Sequence, residues 1–182
     1  SNTSSRYGGA IYSENNSKVF VENSKFVNNS AERGAAFSGN NAKDVFFDRV
    51  VFQENRSSSY GGALYLDDTT VSTSQSRFMN NFSNNEAGAI YMADSTSKIA
   101  LTNTLFNGNW ALNNYSDINS RHSEQTITMM NVTIHGGISK NNSSCYFEGQ
   151  ATVVNSIFTR GISWHGDRPL IANNCFAMVD WS

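Results

Sequence analysis

Val19–Asn29 reads V-F-V-E-N-S-K-F-V-N-N, the clearest of seven occurrences of one pattern. The others are V-F-F-D-R-V-V-F (Val45–Phe52), V-S-T-S-Q-S-R-F (Val71–Phe78), I-A-L-T-N-T-L-F (Ile99–Phe106), I-T-M-M-N-V-T-I (Ile127–Ile134), A-T-V-V-N-S-I-F (Ala151–Phe158) and P-L-I-A-N-N-C-F (Pro169–Phe176). Their anchors, Phe26, Phe52, Phe78, Phe106, Ile134, Phe158 and Phe176, are 26, 26, 28, 28, 24 and 18 residues apart. A near-constant period in this range marks a solenoid, a propeller or an array. The positions seven and five before each anchor are mostly apolar, as in Val19 and Val21, Val45 and Phe47, or Ile99 and Leu101. Two apart, they share one face of a strand, and no stretch sustains helical spacing. Asn23, Arg49, Gln75, Asn103, Asn131, Asn155 and Asn173 stand three before the anchors. A recurrent Asn there predicts a sharp turn, with amides that can bond to one another up a stack.

A second block precedes the first: G-G-A-I-Y (Gly8–Tyr12), G-A-A-F (Gly34–Phe37), G-G-A-L-Y (Gly61–Tyr65) and G-A-I-Y (Gly88–Tyr91). One repeat therefore holds three short strands in about 26 residues, enough for a β-helix coil, whereas a propeller blade needs about 40–45. The expected architecture is an all-β parallel β-helix of about seven coils, roughly 35 Å long at ~4.8 Å per coil, with the anchor phenylalanines as an internal column. Residues 1–182 read as a single domain, regular over 8–109 and divergent over 110–182. Neither terminus carries an amphipathic cap, so the chain reads as a segment of a longer surface protein. Ser1–Tyr7 is expected to be loose. Ser30–Gly34, Ser57–Tyr60, Phe82–Ala87 and Asn109–Ser123 are expected to be polar connections, where binding usually resides.

G-G-A-[I/L/V] recurs in register with F-x-x-N, at Phe26–Asn29, Phe52–Asn55, Phe78–Asn81 and Phe106–Asn109. This pairing, over Gly8–Asn109, resembles the repeat of the chlamydial polymorphic membrane proteins. The likeness fades beyond it, because Gly137 and Gly161 replace the Asn after Ile134 and Phe158. The resemblance implies a right-handed β-helix in the surface-exposed passenger of an autotransporter, secreted or associated with the outer membrane. It also implies adhesion to a host-cell or matrix protein or glycan; contact with neighbouring copies in a surface assembly is the other kind of partner expected.

Thirteen basic residues stand against fifteen acidic ones without a basic run, which argues against nucleic-acid binding through phosphates. No apolar run approaches the length of a membrane span, so no membrane insertion by this segment is expected. The search for catalysis yields little. Glu22 and Asp48 fall on adjacent coils about 5 Å apart, a pairing that suits a retaining glycosidase or Ca²⁺. A solvated pair eased by Arg49 or Lys25 is the simpler reading. Asp67 and Asp68, with Asp94, read the same way. His122, His135 and His165 lack metal-ligand spacing, and no nucleophile elbow or phosphate loop appears. The expectation is a non-catalytic chain with no cofactor. A pectin-lyase-like carbohydrate-binding or carbohydrate-cleaving helix and a structural rod of an extracellular filament are the alternatives.

Tyr12, Phe37, Tyr65 and Tyr91 follow the Gly-Ala blocks and are read as an outward aromatic column able to bind sugar rings or a protein. The opposite parity would bury them. Cys145 and Cys175 either form one disulfide or remain two thiols, and spacing leaves both open. Asn28, Asn55 and Asn81 begin N-x-[S/T] triplets, possible glycan acceptors in a eukaryotic secreted protein, though an Asn- and Ser-rich chain also makes such triplets by chance.

Overall fold

The structure, a computed structural model, describes residues 1–164 and 169–177. These form a parallel β-helix with four sheets and, among the described residues, no helix. The first sheet stacks Ile11–Glu14, Phe37–Asn40, Leu64–Asp67, Ile90–Met92, Ile118–Ser120, Ser143–Phe147 and Gly161–Trp164. The second stacks Val19–Glu22, Val45–Asp48, Thr70–Ser74, Lys98–Thr102, Thr126–Met130, Gln150–Val154 and Leu170–Asn173. The third stacks Lys25–Val27, Val51–Gln53, Arg77–Met79, Leu105–Asn107, Thr133–His135, Ile157–Phe158 and Phe176–Ala177. These are the three strands per repeat expected from the sequence. A fourth sheet (Ser30–Arg33, Arg56–Tyr60, Phe82–Ser83 and Trp110–Ala111) is built by segments expected to be connections. Ser1–Tyr7 is not loose either: Thr3 and Tyr7 bridge to Ser30 and Arg33, continuing that face.

Three corners of the regular coils are each made by one left-handed residue, whereas the chain passes from Ile157–Phe158 to Gly161–Trp164 through Thr159 and Arg160 alone. After the second sheet the left-handed residues are Asn23, Arg49, Gln75, Asn103, Asn131 and Asn155, all with φ between 48 and 54°. After the third they are Asn28, Glu54, Asn80, Gly108 and Gly136. Before the first they are Gly8, Gly34 and Gly61, replaced later by Ala87, Tyr115 and Asn142. Asn and Gly dominate because they enter this region at least cost. The next residue locks the first corner: Ser24, Ser76, Thr104 and Ser156 each donate a hydroxyl to the carbonyl two residues back, at 2.7 to 3.0 Å.

The F-x-x-N motif spans the second corner. Its Phe points inward from the third sheet, the third residue makes the bend, and the Asn points inward again. Phe26, Phe52, Phe78 and Phe106 stack with ring centroids 5.2, 4.6 and 4.7 Å apart and planes within 8°. That is the strand spacing, so register alone produces the stack. Beside it runs a buried amide ladder. Asn29, Asn55 and Asn81 each donate Nδ2–H to Oδ1 of Asn55, Asn81 and Asn109 at 2.8, 3.0 and 3.0 Å. The same three acceptors take the backbone N–H of the preceding Asn at 3.0 to 3.1 Å.

The last coil corrects the sequence alignment by one residue. Leu170, not Pro169, pairs with Ala151, and Phe176 pairs with Ile157 rather than Phe158. Asn174, not Asn173, is the left-handed corner, and a one-residue slip exchanges the two faces of a strand. Phe176 is therefore 63% exposed instead of joining the internal column. The Asn173–Asn174 pair offered two candidate corners, and sequence spacing chose the wrong one.

Replacing Asn81 by Ala leaves the Asn55 backbone N–H without its ladder acceptor and removes one of the two acceptors of the Asn55 Nδ2. We expect a loss of about 2–4 kcal/mol, from buried donors at about 1–3 kcal/mol each, read as a lower midpoint in urea denaturation.

Candidate functional site

In the first four coils the chain passes from the fourth sheet to the first through the Gly-Ala block, where only small residues stand in the bend. A Cβ on Gly34 would lie 2.2 Å from the Phe37 carbonyl oxygen. The residue before each bend and the one just after its inward residue therefore look at each other across a corner. The first column runs Tyr7, Arg33, Tyr60, Glu86 and Asn114. The second runs Tyr12, Ser38, Tyr65, Tyr91, Asn119 and Tyr146.

Their side chains interleave. Tyr7 lies 5.7 Å from Tyr12 and 6.2 Å from Tyr65, Tyr65 stacks on Tyr91 at 5.8 Å, and Tyr60 approaches Tyr91 to 4.6 Å. The Arg33 guanidinium sits 5.5 to 5.8 Å from the ring centres of Tyr7, Tyr60 and Tyr65 and donates from Nη1 to the Tyr65 hydroxyl at 3.3 Å. Cation–π contacts of this kind help hold the guanidinium, beside its ion pair with Glu32 at 3.3 Å. Further along, buried Glu86 accepts from Asn114 Nδ2 at 3.1 Å, Asn119 Nδ2 at 3.0 Å and Arg121 Nη1 at 3.1 Å. Tyr115 and Tyr146 stack beyond it at 4.9 Å. Burial, then the Glu86 charge, pushes the Tyr91 phenol up to about 12, so these hydroxyls present neutral donors and acceptors. Among the described residues, the buried Ser38 Oγ and Asn119 Oδ1 on the strip have no hydrogen-bond partner.

The outward parity expected for the aromatic column holds for Tyr12, Tyr65 and Tyr91, but not for Phe37. Phe37 pairs with Ile11 and Leu64 and is fully buried. G-A-A-F contains the bend glycine plus two alanines, so its aromatic falls one place earlier than in G-G-A-I-Y. Exposure along the column is uneven: Tyr12 is 43% exposed, whereas Tyr65 is 6% exposed under Tyr7 and Arg33. The sequence reading missed the facing column. Its signal is the residue immediately before each Gly block, where Tyr7, Arg33 and Tyr60 recur.

The other expectations divide. Cys145 and Cys175 are free thiols rather than a bridge. Cys145 occupies the inward column with Ile118 and Ile162. Cys175 takes the corner-locking place of Ser156, its thiol donating to the carbonyls of Asn173 and Val153 at 3.2 and 3.3 Å. Asn55 and Asn81 are buried ladder residues, which no glycosylating enzyme reaches in the folded chain; Asn28 is an exposed corner. Glu22 and Asp48 are register partners, and Asp48 pairs with Arg49. Asp68 is held below the usual carboxylate range by Thr96 and Lys43, the latter 3.0 Å away. Asn109–Ser123 is not a projecting loop: Trp110–Ala111 and Ile118–Ser120 are strands, and Ser116 to Ser120 are buried. His165 and Trp181 lie outside the described residues.

Glu86→Gln removes the charge that opposes phenolate formation at Tyr91. The Tyr91 pKa is expected to fall from about 12 in an ultraviolet phenolate titration, with Tyr115 moving the same way, while Tyr12 and Tyr65, which Glu86 does not reach, stay where they are.

The description "Chlamydia polymorphic membrane protein repeat" matches residues 1–14 and 49–67. No curated protein and no solved structure gives a significant match. The two matched stretches hold the first and third Gly-Gly-Ala corners and their flanking tyrosines. The likeness to that repeat lies within a parallel β-solenoid.

Proposed function

We propose that this segment serves adhesion: a non-catalytic rod, displayed at a bacterial outer surface, that recognises a host-cell or matrix glycan or protein along the tyrosine corner. The repeat family and the β-helix fold suggest a surface-exposed passenger. The observation that carries the adhesive reading is the strip itself. Rings, a guanidinium and two unpartnered polar atoms recur along one edge at the coil spacing. Such an array offers an extended ligand repeated apolar faces with polar tips. The acids, by contrast, are tied up in ion pairs or amide contacts: Asp48 with Arg49, Asp68 with Lys43, Glu86 with Arg121.

Binding of the purified segment to a glycan array and to intact cells tests this reading. Tyr12→Ala and Tyr60→Ala should each weaken saturable binding about two- to tenfold, the order expected for loss of one aromatic contact of about 0.5–1.5 kcal/mol, with unchanged circular dichroism. Saturable binding indifferent to both substitutions would remove the corner as the recognition surface. No binding to either array or cells would favour a spacer rod.

A further inference from the structure

The amide ladder has to end somewhere, and it ends on a carboxyl group. Asn109 is its last Asn, because the next F-x-x-N position is Gly137. The Asn109 Nδ2–H that would have bonded to that Asn instead donates to Asp117 Oδ1 at 2.8 Å. Asp117 comes from the other side of the coil, where it stands in the alanine column of the Gly-Gly-Ala block (Ala10, Ala36, Ala63 and Ala89). The two departures from the repeat fit each other. A Cβ on Gly137 would lie 2.4 Å from Asp117 Oδ2 and 2.1 Å from Ser116 Oγ, so the carboxyl group fills the space that the missing Asn leaves open.

We propose that Asp117 is a proton-operated latch between the regular coils and the divergent ones, closed when its carboxyl group is neutral and weakened when that group ionises.

The surroundings support the assignment. Asp117 is fully buried, and burial lifts its pKa to about 7 despite hydrogen bonds from Ser116 and Asn109. Two other ionisable groups reach it. Arg160 favours the charged form, and Cys145, on the next coil, is itself pushed well above its usual range by burial and by Asp117. Ser116 donates to Oδ2 at 2.7 Å. The same Ser116 hydroxyl is the acceptor within reach of a proton on Oδ2, whereas Ser144 Oγ, next in the column, has no hydrogen-bond partner among the described residues. The sign follows from linkage. A carboxyl group whose folded pKa lies above its unfolded value stabilises the fold fully at pH below about 4, and that contribution is lost as pH rises towards 7.

Hydrogen exchange of amides in Ile118–Ser120 and Thr126–Met130, corrected for intrinsic rates, reads the latch between pH 5 and pH 8. The opening constant should rise at least tenfold in the wild type, since each unit of pKa shift is a factor of ten. Asp117→Asn, neutral at every pH and the same shape, should show no such rise. Asp117→Ala, which leaves the Asn109 amide without its carboxyl acceptor, should raise opening at both pH values. A pH response that persists in Asp117→Asn, or an opening constant unchanged in Asp117→Ala, overturns the proposal.

Discussion

Parallel stacking at one strand spacing is the constraint on which everything else in this molecule depends. A side chain that can bond or stack with a copy of itself ~4.8 Å away gains a partner in every coil. Phenylalanine does so through its faces and asparagine through its amide. The Asn ladder is the more demanding of the two, because a buried amide without its neighbours costs more than it gives. Each coil is thereby checked against the next, and stability accrues between neighbours rather than in one central core.

The same rule explains what could be read from the sequence. Columns of Phe, Val and Gly-Ala recur at fixed offsets, so strand number, parallel pairing and the internal aromatic stack were legible. The fourth sheet was not, because its strands are short and polar: Ser30–Arg33 and Arg56–Tyr60 carry no apolar alternation. The Asn of F-x-x-N was read as motif rather than as core, since a polar residue inside a thin rod contradicts simple patterning. Phe37 and Phe176 failed for a shared reason. Each follows a doubled residue, Ala35–Ala36 or Asn173–Asn174, at which the register has two solutions.

The tyrosine corner shows how the scaffold makes a site without spending core residues on it. The Gly-Gly-Ala bend is needed to turn the chain tightly. Its smallness also lets the side chains on each side of the bend interleave over it. Half of this site was visible in the sequence as Tyr12, Tyr65 and Tyr91. The other half sits before the glycines, where Arg33 and Glu86 interrupt the aromatics and hide the column from a search for like residues.

In the regular coils three of the four corners are single left-handed residues of fixed length. The fourth, between the first and second sheets, varies freely. Only Asp68 and Thr69 separate Leu64–Asp67 from Thr70–Ser74, whereas residues 93–97 separate Ile90–Met92 from Lys98–Thr102. The 26- and 28-residue periods of the chain differ for this reason. Lengthening a connection costs little entropy once its ends are fixed. The rod thus has one editable edge, where sequence can be inserted or exchanged from coil to coil while the ladder, the aromatic stack and the tyrosine corner keep their register. That edge allows the outline of the rod to change without refolding the rest.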